Sequence, residues 1–394
     1  MSFESTISQF DTGMPTGDIL KSLRGATGLA LYGAGSTGRD LLGALKSKGY
    51  SVRCFLDRNA RPDQTIDGVP VLHPDHASLT SVRSQTHVIV TIFNPYVDVL
   101  PIIRELIAAG WRSAETCVEL CQLFSPEIGS RYWMDSYSEY EGRAPEINAV
   151  HDLWSDEKSR RLYEAVFEYR RSGDVGELPE KEDFQYFPPD IPRWKTPLRF
   201  IDCGAYDGDS WRAIERSKID VEAITAFEPD EANFQALVVQ SQAPYFSQCE
   251  IICLPCGVHA ETQQLKFTSG LGSASRISAD ATTPPRKGWR WLLFSRGIVT
   301  RGSNAIQCIS LDACISRFRP TLIKMDIEGA EYDALTGASG MIASARPGLA
   351  ICVYHRADHL WSIPLLADKY LGGARHYLRL HAYHALDLVH YVLP

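Results

Sequence analysis

Twice along this chain an apolar run ends in a glycine-bearing turn and opens into a helical stretch, first at LALYGAGSTGRDLLGALKS and again at LRFIDCGAYDGDSWRAIERS. Such a run reads as a buried strand whose carboxyl end must turn sharply, which glycine permits, before a helix returns over the sheet. Repetition of that unit selects an α/β fold with parallel strands and crossover helices. At 394 residues the chain is too long for one comfortable core, so two Rossmann-like doubly wound units in tandem and a helical connector are expected.

The first unit, 1–124, runs through LALYGAG, the helix STGRDLLGALKSKGY, the strand SVRCFLD, the strand HVIVTIF and the helix VDVLPIIRELIAAGW, and closes near Leu123 or Phe124. Over 125–197 the character changes. SDEKSRRLYEAVFEYRRSGD carries Leu162, Val166 and Tyr169 on one helical stripe. The proline-bearing stretch ELPEKEDFQYFPPDIPRWKTP after it sustains neither a long helix nor a central strand, and reads as a loop leaning over the next domain. The second unit, 198–394, alternates LRFIDCGAYDGD, WRAIERSKI, ITAFEPD, EANFQALVVQ and EIICLPCGV; two buried strands, TLIKMDIEG and GLAICVYH, come later, and HYLRLHAY with DLVHYVLP forms a closing antiparallel pair. QQLKFTS and AIQCISLD are further strands flanking a basic excursion, Ser269 to Ser303.

The formal net charge of -8 argues against a phosphodiester backbone as partner, so no nucleic acid is expected. No apolar run approaches the roughly 20 residues of a membrane helix. MSFESTISQFDTG lacks the basic and apolar segments of a secretory signal. The ten cysteines follow no framework spacing, which fits reduced thiols and a cytoplasmic protein. Cys253 and Cys256 form a CxxC near Cys249, but no second pair completes a tetrahedral zinc set.

Ligands of doubly wound sheets bind outside the carboxyl ends of the strands. In the second unit the first such end reads Asp202-Cys203-Gly204-Ala205-Tyr206-Asp207-Gly208-Asp209-Ser210. Its glycines admit close backbone approach, while Asp202 and Asp207 suit an ammonium better than a pyrophosphate. Glu228-Pro229 ends the second strand, where an acid accepts the hydroxyls of a ribose, and Cys256-Gly257 could wall an adenine. Lys324, Asp326 and Glu328 alternate, and would share a face if the strand continued that far. They read either as a satisfied ion pair or as a charged pocket floor. His355, just past the next strand, suits proton removal near neutral pH.

In this order IDCGAYDGD, AFEPD, LIKMDIEGAEYDAL and ICVYH resemble the FkbM-type S-adenosylmethionine-dependent methyltransferases, and YRRSGD with DFQYFPPDI resembles the segment preceding that domain in longer members. The resemblance covers roughly Leu153 to the C-terminus. It implies a class I methyltransferase fold and O-methyl transfer to a hydroxyl of a carbohydrate, glycan or nucleotide-linked sugar. By motif position Asp202, Gly204, Tyr206, Asp207, Gly208, Ser210, Glu228, Pro229, Cys256, Gly257 and Asp326 would contact cofactor, and Lys324, Asp326, Glu328 and His355 would line the reaction centre. A divalent cation held by Asp326, Glu328 and His355 could replace a simple His/Asp base; the metal-free route is the expectation. The excursion with Arg286, Lys287, Arg290, Arg296 and Arg301 reads as a lid or acceptor-recognition element, and Tyr186, Trp194 and Trp211, with Trp289 and Trp291 on the excursion, would suit stacking on sugar rings.

Gly33-Ala34-Gly35-Ser36-Thr37-Gly38 is a GxGxxG between strand and helix, with Asp57 ending the next strand, the context of a nucleotide fingerprint. With no second catalytic half attached, the first unit reads as a nucleotide or nucleotide-sugar binding module. The competing readings of the whole are a non-catalytic nucleotide-sugar scaffold and an NAD-dependent sugar oxidoreductase. A homo-oligomer is compatible with the sequence.

Overall fold

The computed structural model describes residues 3–11, 23, 28–129, 131–268, 276–278 and 303–394. In the first unit β1 (Gly28–Tyr32), β2 (Cys54–Leu56), β3 (Thr65–Ile66), β4 (Val69–Leu72), β5 (Thr86–Val90) and β6 (Ser113–Thr116) form one sheet in the order β3-β4-β2-β1-β5-β6. Its pairings are parallel apart from the β3–β4 hairpin. The central strands are buried along nearly their whole length, as parallel strands covered on both faces must be. Helix Ser36–Ser47 lays Leu41, Leu42 and Leu45 against this sheet.

The second unit contains β7 (Leu198–Cys203), β8 (Val221–Phe227), β9 (Glu250–Leu254), β10 (Gly257–Val258), β11 (Gln263–Thr268), β12 (Arg276–Ser278), β13 (Ser303–Ile309), β14 (Leu322–Met325), β15 (Gly348–Cys352), β16 (Arg375–Leu380) and β17 (Leu388–Leu393). The main sheet has the order β16-β17-β15-β14-β7-β8-β9, and β17 runs antiparallel to both its neighbours. From β7 the chain winds outward through β8 and β9, then restarts on the other side with β14 and β15. The switch point therefore falls between β7 and β14, where a doubly wound sheet opens a crevice. A small sheet of order β10-β13-β11-β12 carries the ends of the excursion. Arg286, Lys287, Arg290, Arg296 and Arg301, with Trp289 and Trp291, lie outside the described residues.

The connector helix, Glu157–Ser172, starts where the Asp156 carboxylate accepts the Ser159 N–H and stops at a left-handed Gly173. It buries Leu162, Val166 and Tyr169 as the stripe requires. Arg170, wholly buried, donates to the Ala357 carbonyl at 3.0 Å and lies over the Trp133 ring. The hydrophobic core does not break at the unit boundaries: Leu41, Trp133, Tyr163 and Ile323 belong to one continuous cluster. The turn after β5 is fastened to the second unit through His384, whose Nε2 lies 3.1 Å from the Val97 carbonyl.

Candidate active site

A cavity of 380 Å³ opens at the β7–β14 switch point. One end is walled by Gly204, Tyr206, Phe227, Glu228, Pro229, Asn233 and Cys256 to Val258, which come from the ends of β7, β8 and β9. Lys324, Asp326, Ile327 and Glu328 floor it. Asp209, Tyr354, Leu386 and Asp387 of the second unit, Tyr132 and Gln185 of the connector, and Asn94, Pro95 and Tyr96 of the first unit complete the lining, with Tyr96 close to Tyr206. Tyr132, Tyr206, Glu328 and Asp387 all hold a left-handed backbone without being glycine, the kind of strain that surrounding structure must impose and that clusters at functional sites.

The cavity exists because side chains are withheld from it. A Cβ on Gly204, whose φ is 75°, would lie 1.9 Å from the Asp326 carbonyl oxygen, so only glycine lets β7 turn against β14 here. Glu228 is buried and accepts the Tyr206 and Asp230 N–H groups, each at 2.9 Å. Burial raises its pKa, and those N–H groups act against the rise.

Several expected contacts fall elsewhere. Asp202 is fully buried beneath the cavity, accepting Ser210 Oγ at 2.5 Å and Trp211 Nε1 at 3.0 Å and pairing with Lys324 Nζ at 3.0 Å. Asp207 pairs with Arg212 at 2.6 Å, and Gly208 packs towards Gln240; Asp202, Asp207, Gly208 and Ser210 do not line the cavity. The strand expected to carry Lys324, Asp326 and Glu328 on one face ends at Met325, and Glu328 stands on a turn. Lys324 is buried; its Nζ also donates to the Gly204 carbonyl at 2.5 Å, and against the effect of burial Asp202 and Asp326 hold it charged. It is a post under the turn, satisfied on both sides.

His355 is buried just behind the floor rather than on it. Its Nδ1 lies 2.9 Å from Glu331, and its Nε2 lies 3.6 Å from Asp326 and 3.7 Å from Glu328. Burial opposes its charge, but Glu331, Glu328 and Asp326 together outweigh burial and raise its pKa to about 10. An imidazolium at neutral pH has no lone pair to take a proton. Asp326 accepts the Tyr186 hydroxyl at 2.8 Å and the Tyr354 hydroxyl at 3.5 Å.

Asp326, Glu331 and His355 each bring one ligand atom within 4.8 Å of the others and could hold a cation, with Glu331 in the place expected of Glu328. Yet Glu331 Oε1 accepts the Ile327 N–H at 2.8 Å and Oε2 the Gly329 N–H at 3.1 Å, and His359 lies 3.2 Å away. These groups satisfy the carboxylate without an ion.

Sequence reasoning missed Glu331, Asp387 and the whole first-unit contribution, and Tyr186, expected to stack on a sugar ring, instead donates its hydroxyl to Asp326. In the first unit, Asp57 Oδ2 accepts the Ala34 N–H at 3.0 Å and Oδ1 the Asn59 N–H at 2.8 Å. A Cβ on Gly38 would meet the Gly33 carbonyl oxygen at 2.3 Å.

The second unit is a doubly wound sheet with the cavity at its switch point. Residues 202–384 match the family model of the methyltransferase FkbM domain. A solved structure, the methyltransferase FkbM from Methylobacillus flagellatus KT, shares the fold over 99% of this chain and 98% of its own, with a TM-score of 0.76 at 20% sequence identity. No curated protein matches the chain.

Proposed function

We propose that this protein transfers the methyl group of S-adenosylmethionine to a hydroxyl of a carbohydrate, glycan or nucleotide-linked sugar. The observation that carries the reading is the cavity, whose cofactor end combines a side-chain-free approach at Gly204, a ribose-facing acid at Glu228 and the Cys256–Val258 wall. The carboxylates of Glu228, Asp326, Glu328 and Asp387 on its walls suit a ligand bearing a sulfonium and an ammonium. When bound, that cofactor supplies an electrophilic methyl carbon. Gly204, Tyr206, Glu228, Pro229, Cys256 and Gly257 would hold it, and Asp326 with Glu328 would face the methyl group. His355 we read as a positioning residue whose positive charge fixes those two carboxylates. Most of the rate enhancement would then come from aligning acceptor oxygen and methyl carbon.

The first unit would hold the nucleotide part of an acceptor or a separate nucleotide on Gly33, Gly35, Thr37, Gly38 and Asp57. Its Asn94–Tyr96 turn, which lines the cavity, supports a role in ligand choice. Transfer is read as metal-free and the protein as cytoplasmic.

The test is transfer of labelled methyl from S-adenosylmethionine to a panel of UDP-, GDP- and dTDP-sugars and free glycans. Label in alkali-stable ether linkage on at least one member is expected, unchanged by chelator. Label on none contradicts the acceptor class, and loss in chelator restored by magnesium or manganese contradicts the metal-free route.

A further inference from the structure

The reaction releases a proton from the acceptor hydroxyl, and of the groups expected at the reaction centre Glu328 lies 3.7 Å from His355 Nε2 and the others are otherwise engaged. Lys324 donates to the Gly204 carbonyl and Asp202. Asp326 is held by the Tyr186 hydroxyl, and His355 sits behind the floor and carries its own proton.

We propose that Asp387 is the catalytic residue that accepts the acceptor's proton. Asp387 lies in the Leu380–Leu388 connection between β16 and β17 and lines the cavity. It reaches the wall on left-handed backbone, in a turn where His384 and Ala385 are also left-handed without being glycine. Tyr354, whose hydroxyl donates to Asp326, lines the cavity beside it. The charged and titratable groups that face it are Asp326 from the end of β14, Cys352, Tyr354 and His355 from β15 and its end, Tyr186 of the connector, and Asp209 at the start of the helix after β7. Burial and then the charge of Asp326 raise its pKa to about 6, so at neutral pH it is ionised yet still basic enough to take a proton.

The step balances within the site. A lone pair of the acceptor oxygen forms the bond to the methyl carbon while the carbon–sulfur bond breaks and its electron pair stays on sulfur. The hydroxyl proton passes to the Asp387 carboxylate and from there to solvent.

The proposal rests on the methyl-transfer reading above, and one experiment separates the two. Asp387→Asn keeps the shape and tolerates left-handed backbone, so the variant is expected to fold. Wild type and variant are compared for S-adenosylhomocysteine affinity by calorimetry and for kcat/KM between about pH 5 and 8 with the sugar-nucleotide panel. The expected result is cofactor-product affinity within about threefold of wild type, transfer reduced about 10²-fold or more, and loss of the rise in rate through about pH 6. Transfer within about threefold of wild type, or an acidic limb that persists, would overturn the assignment while leaving the methyltransferase reading intact. A loss of product affinity above about tenfold would make Asp387 a cofactor ligand instead. Should the variant fail to fold, wild type decides through its own profile: a rate flat from about pH 5 to 8 overturns the proposal. A wild type that labels no panel member removes the reading on which the proposal stands.

Discussion

The two units solve the same backbone problem and differ where chemistry enters. In each, the acid ending the second strand folds back on the first turn: Asp57 accepts the Ala34 and Asn59 N–H groups, and Glu228 accepts those of Tyr206 and Asp230. In each, the first strand lies between the second and the strand beyond the switch point. Two residues before the turn glycine, however, the first unit pairs Leu31 with Ile89, and the second pairs Asp202 with Lys324. Both pairs are buried. An apolar pair is the stabler choice, because desolvating two charges offsets much of their attraction. The ion pair stands under the turn that opens on the cavity, and the apolar pair under a turn that does not line it.

That contrast can be broken by exchange. Lys324→Met should destabilise the protein by about 3–5 kcal/mol, because it leaves Asp202 buried without its cation. The double variant Asp202→Leu/Lys324→Ile, which copies the first unit, should regain most of that stability yet lose methyl transfer. Urea midpoints of the three proteins check this, and a double variant no stabler than Lys324→Met would refute the contrast. A smaller effect is expected where hydroxyls support the two turns. Tyr186→Phe removes a hydrogen bond to a carboxylate and should cost about 1.5–3 kcal/mol. Thr91→Val removes the hydroxyl that donates to the Tyr32 and Gly33 carbonyls, a neutral case, and should cost about 0.5–1.5 kcal/mol.

The mildest effects are in pH. His355 has its pKa raised from 6.5 to about 10, so its contribution to stability is complete below pH 6.5 and is lost as pH rises through about 10. His381 and His384 are lowered from 6.5 to about 4, chiefly by burial, so stability is lost as pH falls from 6.5 towards 4. Since His384 fastens the turn after β5, the acid side should also raise hydrogen exchange around Val97 before the second sheet opens. Exchange that rises first around β14 would contradict this.

Most of the strand order and several of the residues that line the cavity were legible in the sequence, because a buried parallel strand announces itself as an apolar run and the residues at the sheet's crevice stand directly after it. Gly204, Tyr206, Glu228, Cys256 and Asp326 were all found that way and all line the cavity. The same rule misassigned Asp202, which ends its strand on the buried side and faces Lys324. It missed Asp387 for a geometric reason: β17 is antiparallel, so its first residues, not its last, stand at the ligand end of the sheet. Asn94, Tyr96 and Tyr132 were beyond reach, since they meet the cavity through packing between units that no local pattern encodes. Glu331 was hidden because an acid in the first turn of a helix ordinarily reads as a cap.

The central claim is that S-adenosylmethionine binds the second unit's turn and not the first's. Calorimetry on wild type, Glu228→Ala and Asp57→Ala tests it directly. One equivalent bound by wild type, weakened at least about tenfold by Glu228→Ala and unchanged by Asp57→Ala, is the predicted result, corresponding to about 1.4 kcal/mol or more of lost binding. No binding by wild type, or binding lost through Asp57→Ala and kept in Glu228→Ala, would contradict it.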